Sequence, residues 1–140
     1  MPGFWRVTLV YGLALVLMEA LLLAAGSVTP HSGAAAFFSG CLVTALLVPA
    51  FVAGFWFERL AGRGATSPEA WRYAAWFAAI QGVLMALLLW LAMQDLLAED
   101  SDGAAIFGSV LVAYVTVALL ISRFFFGFGT RQGRRTHIPR

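Results

Sequence analysis

One carboxylate, Glu19, stands inside the apolar run from Val7 to Ala25, and no other acidic or basic side chain lies as far inside an apolar run of this chain. Counted along a helix from Trp5, it sits roughly 21 Å up the axis. An ionised carboxylate at that depth in lipid costs about 2.5 kcal/mol or more. The group must therefore be neutral, paired, or turned to a water-filled cavity. One reading is a proton- or cation-binding site. The other is a carboxyl hydrogen-bonded between helices or reaching the outer surface. Gln81 and Tyr114 fall near the middle of other apolar runs, with Thr116, Ser39 and Thr44 also inside them. Such side chains join helices for about 0.6 kcal/mol each. They would form a polar binding cavity with Glu19 only where the fold brings them together.

Other chemistry is hard to assemble from these residues. There is no Gly-x-Ser-x-Gly elbow, no His-Glu-x-x-His and no phosphate-binding loop, so we expect no catalytic residues and no enzyme. Gly62-Arg63-Gly64 is too short a glycine stretch to cradle a phosphate. His31 and His137 lie outside the apolar runs, which excludes a haem held by two histidines between helices. Cys41 is the only cysteine, too few for a disulfide or a cysteine metal site. The acidic residues Asp95, Glu99, Asp100 and Asp102 lack the alternating pattern of a calcium loop and read as a solvated face. No metal and no cofactor is expected.

The elements that must position these residues are apolar and long. Of 140 residues, 61% are hydrophobic and 11% charged, where a soluble domain is nearer half and a quarter. Runs of about 20 apolar residues match the bilayer hydrocarbon. We expect an all-α fold, a bundle of four transmembrane helices forming one integral membrane domain over residues 1–140. The helices are placed at about 5–25, 34–57, 68–94 and 104–126, followed by a basic tail, 127–140. A kink is expected at Pro49. Thr66 or Ser67 should cap the third helix, with Pro68 at its first position. The first run is longer than the apolar part of a usual signal peptide, so it is assigned as a span.

Every cation is an arginine: Arg6, Arg59, Arg63, Arg72, Arg123, Arg131, Arg134, Arg135 and Arg140. Threaded four times through a bilayer, all of them fall on one face, and the acidic loop falls on the other. Basic residues in short loops stay inside, so both termini are expected to be cytoplasmic. Arginines at helix ends and in a tail mark topology rather than a nucleic-acid surface, so no nucleic-acid partner is expected. The stretch 131–135 either touches anionic lipid headgroups or is a plain flank that stops transfer. Trp5, Trp56, Trp71 and Phe124–Phe126 with Phe128 would mark the inner interface, and Trp90 the outer one.

Ala74, Ala78, Gly82 and Ala86 recur every four residues on the third helix, a stripe that lets helix backbones approach. Ala50 with Gly54, and Ala104 with Gly108, are shorter versions. They pack the bundle itself or form a seam with a second copy or a partner. On the inner loop, Glu69 and Arg72 are three apart and can pair along a helix.

The stretch from Phe57 to Arg72 resembles small bacterial four-span membrane proteins of unknown function, a family known only by a locus-tag name. In these an aromatic and basic helix end leads to Gly-Arg, an apolar residue and Thr, then an acid and an Arg. Arg63, Thr66, Glu69 and Arg72 match, while Ala65 stands where the familiar form has Pro. The resemblance implies a multi-pass protein of the bacterial inner membrane and brings no activity with it. Taken together, the chain reads as an accessory, assembly or interaction subunit of a membrane complex, in contact with lipid and in a homo-oligomer or larger assembly. The alternative is a small proton-coupled transporter using Glu19.

Overall fold

The computed structural model describes residues 3–28, 34–99 and 102–136. Four helices account for nearly all of them: α1 Phe4–Val28, α2 Ala34–Ala61, α3 Ser67–Glu99 and α4 Gly103–Thr136. No strand occurs among the described residues. In lipid, a helix satisfies its backbone groups internally, which an open strand cannot do. The segments Phe4–Leu22, Val43–Ala61, Ser67–Leu91 and Gly103–Thr136 are each long and apolar enough to cross a membrane. The chain is a four-helix, multi-pass membrane bundle.

The helices alternate in direction. Phe4 at the start of α1 stacks on Tyr73 near the start of α3, and Phe57 near the end of α2 meets both Tyr73 and Phe126 of α4. All arginines of the described residues lie toward this end, and both described termini share it. We call it the basic end. Around the bundle, α2 packs on α1 and α4, and α4 also packs on α3, so α2 and α3 are diagonal although consecutive in sequence. Between α1 and α3 the space is filled by rings.

Several helix ends differ from expectation: α1 runs to Val28 and α3 to Glu99, so that 95–99, expected as loop, is helix, and α2 and α4 are also longer. Helix α2 runs past Phe57 to Ala61, where Gly62 adopts a positive φ of 63° and donates its N–H to the Glu58 carbonyl at 2.7 Å. That is a left-handed cap, which glycine adopts without steric penalty. Helix α4 does not end at Phe126. It continues through Gly127, Gly129 and Gly133 to Thr136, so 127–136 is helix rather than tail. Glycines are poor helix formers, but here Gly129 and Gly133 are contact positions on α2, and tertiary packing overrides the propensity. The Thr130 and Thr136 hydroxyls donate back to the Gly127 and Gly133 carbonyls at 2.9 and 2.8 Å. Helix α2 is continuous through Pro49, which is buried. His31, Asp100, His137 and Arg140 lie outside the described residues, and the side chains of Ser39, Cys41, Asp95 and Glu99 are likewise undescribed.

Candidate functional site

Three polar side chains meet in the middle of the bundle. Gln81 of α3 is buried. Its Nε2 donates to the Tyr11 hydroxyl of α1 at 3.2 Å, and its Oε1 accepts from the Tyr114 hydroxyl of α4 at 2.9 Å. One amide thus ties three helices. Gln81 and Tyr114 were expected near mid-membrane, whereas Tyr11 was not singled out. A tyrosine in an apolar run reads as filler. Its position four residues from both Val7 and Leu15, each buried, is the signal that its hydroxyl points inward.

The same four-residue row, Val7, Tyr11, Leu15 and Glu19, carries Glu19 toward the interior, where it is half-buried. Its carboxylate lies within electrostatic reach of Tyr114 but forms no hydrogen bond among the described residues. Glu19 therefore shares a face with the Tyr11–Gln81–Tyr114 chain without joining it. Thr116 is turned outward and bonds its own helix at Val112.

Below this chain, toward the basic end, the interior is aromatic. Tyr11 and Phe77 stack with ring centroids 3.9 Å apart and planes parallel to 1°. Tyr73 stacks on Phe126 at 4.9 Å, and Phe57 and Phe77 meet Phe126 edge-on at 5.7 and 5.9 Å. Rings of this size bury about 150–250 Å² each, and they fill the space that a polar passage would need.

The small-residue stripe of α3 faces inward. Ala74, Ala78 and Gly82 are buried and Ala86 half-buried. A methyl group on Gly82 would come 2.8 Å from Val115 of α4, so the stripe packs within the bundle. Gly54 does the same against Phe126, and Ala50 is buried. The pair Ala104 and Gly108 differs: Ala104 is exposed, and Gly108 has open space around its Cα. Among the described residues it joins no seam.

At the basic end the loop is built around Glu69. Arg63 grips it with two hydrogen bonds, at 2.7 and 2.8 Å. The same carboxylate accepts the Thr66 N–H and hydroxyl, both at 2.9 Å. Thr66 thus caps α3, and Glu69 satisfies one of its free donors as in a capping box. Since α3 begins at Ser67, Pro68 takes the second helical position. Hydrogen bonding to Glu69, and then its charge, raises the Arg63 guanidinium above its usual pKa. The expected Glu69–Arg72 pair does not form. The turn at Gly62 brings Arg63 over the end of α3 first, and Arg72 lines a shallow groove with Phe4, Ala75 and Trp76 instead.

Sequence reasoning missed two charged groups here. Glu58 is buried beside Gly133, whose missing side chain leaves it room, and its Oε2 has no hydrogen-bond partner. Arg123 is partly buried. It lies 5.5 Å from the centre of the Trp71 ring, and its Nη2 donates to Ser67 Oγ at 3.4 Å. With Arg131, Arg134 and Arg135, it lines a cleft of about 530 Å³ between the end of α4 and the start of α3.

No group of three or more histidine, cysteine or acidic side chains that could hold a metal occurs among the described residues. These features define a multi-pass helical membrane protein with a filled interior and a structured basic end. Compared with family models, curated proteins and solved structures, the chain matches none. The resemblance of 57–72 to small four-span proteins thus stands on topology and that loop.

Proposed function

We propose that this chain is a non-catalytic protein of the bacterial inner membrane with both termini cytoplasmic, acting as an accessory or assembly subunit of a larger membrane complex. The observation that carries the reading is the contrast between a filled interior and an open end. Within the span the polar groups of Tyr11, Gln81 and Tyr114 bond one another, and rings occupy the axis below them. These three side chains find partners in one another, which favours scaffolding over passage. At the basic end, by contrast, a loop fixed by Arg63 and Glu69 stands beside four arginines that line a cleft. Chain purified in mild detergent should migrate on a blue-native gel with a stoichiometric partner, identified by mass spectrometry. Migration as the bare chain or a homo-oligomer would count against the reading. A reporter fused after residue 140 should be cytoplasmic, and a periplasmic signal would reverse the orientation.

A second reading, proton-coupled transport, is favoured by one observation: Glu19 shares the inward face with Tyr11 and has no hydrogen bond among the described residues. It predicts proton release when a transported ligand binds, abolished by Glu19→Gln. Unchanged complementation of a deletion phenotype by Glu19→Gln would remove it.

A further inference from the structure

We propose that the cleft between the last turns of α4 and the start of α3 binds the phosphate group of an anionic lipid, one whose headgroup is a phosphate monoester. The inference deepens the proposed role, and it rests on that reading in taking the basic end as the working surface.

The argument starts with length. Helix α4 has 34 residues, about 51 Å at 1.5 Å each, against hydrocarbon about 30 Å thick. With Gly103 at one boundary, Arg123 stands about 30 Å on, at the other boundary. The remaining turns run on into the headgroup layer and past it. Their face toward α3 carries Arg123, Gly127, Thr130, Arg131 and Arg134, with Arg135 beside it. Glycine and threonine keep the groove open where larger side chains would close it. The groove therefore starts at the depth of lipid phosphates.

Charge supplies the next step. Four guanidinium groups line the cleft and, among the described residues, no carboxylate does. Of the two acids at this end, Glu69 is taken by Arg63 and Thr66, and Glu58 is buried against Gly133. No ion pair involves Arg123, Arg131, Arg134 or Arg135 among the described residues. Like charges gathered without a counter-charge repel one another, and an anion between them relieves that repulsion.

Preorganisation completes the argument. Arg123 is held over Trp71 and bonded to Ser67, and its buried Nε has no partner. Its guanidinium is fixed before any ligand arrives, which lowers the ordering cost of binding. Guanidinium matches phosphate through paired N–H donors, and a monoester offers more charge than a diester. Gly62-Arg63-Gly64, too short for a phosphate loop, is not required, because side chains of α4 supply the donors.

Native mass spectrometry of the full chain in detergent should show retention of phosphatidic acid over phosphatidylglycerol, and of both over phosphatidylcholine with the same acyl chains. Arg131→Gln with Arg134→Gln alters only exposed groups and should weaken phosphatidic acid binding by about fivefold per arginine. Arg6→Gln with Arg59→Gln removes the same charge from the same end outside the cleft and should leave binding within about twofold of the unaltered chain. Equal losses in the two pairs, or equal uptake of phosphatidic acid and phosphatidylcholine, would overturn the proposal. Glycerol phosphate, the headgroup without its chains, should compete weakly. Competition at the strength of the lipid would keep the phosphate assignment and overturn lipid as its carrier. The measurement uses the isolated chain, so a missing partner on the blue-native gel leaves it standing.

Discussion

Two seams of this bundle solve one packing problem in opposite ways. Between α2 and α4, backbone meets backbone. A methyl group built on Gly54 would strike the Phe126 carbonyl, and one on Gly129 would strike the Phe51 carbonyl and come within 2.9 Å of the Phe55 nitrogen. Between α1 and α3 the backbones stay apart, and Tyr11, Phe77, Phe4 and Tyr73 fill the gap with stacked rings. Lipid tails are as apolar as leucine, so helix association in a membrane relies on close packing rather than on escape from water. Removing atoms and adding them should therefore harm different seams.

The largest effect is expected at the glycine seam. Gly129→Leu must part α2 from α4, which also separates Gly133 from Glu58 and disturbs the floor of the arginine cleft. We expect loss of monodisperse folded protein in detergent, read by size-exclusion chromatography and thermal unfolding. Gly54→Ala should destabilise by about 3 kcal/mol, the upper part of the overpacking range. Gly108→Ala has open space and should be neutral or stabilising by up to about 1 kcal/mol. Similar behaviour of Gly54→Ala and Gly108→Ala would break the comparison at its root.

The ring seam should fail by cavity. Phe77→Ala removes the ring that stacks on Tyr11 and touches Tyr73 and Phe126. Loss of a buried phenyl group costs about 3–5 kcal/mol, measured as a shift in the unfolding midpoint. Phe77→Leu should recover part of that, because most of the volume returns. Gly129→Leu has no such intermediate. A Phe77→Ala variant as stable as the parent would mean that the rings do not hold α1 against α3.

These seams also mark what could be read from sequence. The four spans and the gathering of arginines at one end were legible, because hydropathy over some twenty residues and the charges flanking it are properties of the chain alone. The extension of α4 was not. Gly127, Gly129 and Gly133 look like breakers until α2 is known to lie against them. The Glu69 partner was misread for a similar reason: three-residue spacing points to Arg72, whereas Arg63 reaches back across the turn at Gly62. Gln81 and Tyr114 were visible as polar groups in apolar runs, but their convergence on Tyr11 depends on how α1, α3 and α4 are arranged. Arg123 looked like a topology flank, and only the neighbouring turn of α3 turns it into a cleft wall.

The smallest expected loss of stability concerns the place where the ring seam carries polar atoms. Gln81→Leu keeps the volume and leaves the Tyr11 and Tyr114 hydroxyls without their partner. Interhelical hydrogen bonds of this kind average about 0.6 kcal/mol in membranes, so the loss should be near 1 kcal/mol. A double-mutant cycle of Gln81→Leu with Tyr114→Phe isolates the bond between them. A coupling near 0.6 kcal/mol makes this chain a tether between helices, and the rings then carry the seam. A coupling above about 2 kcal/mol would exceed what such bonds supply and would implicate a third polar group. Beyond Tyr11, which Gln81 already bonds, Glu19 on the same face of α1 is the group to test. Repeating the cycle in Glu19→Gln then decides the matter: a coupling that collapses joins the carboxylate to the network, and one that persists leaves Glu19 outside it.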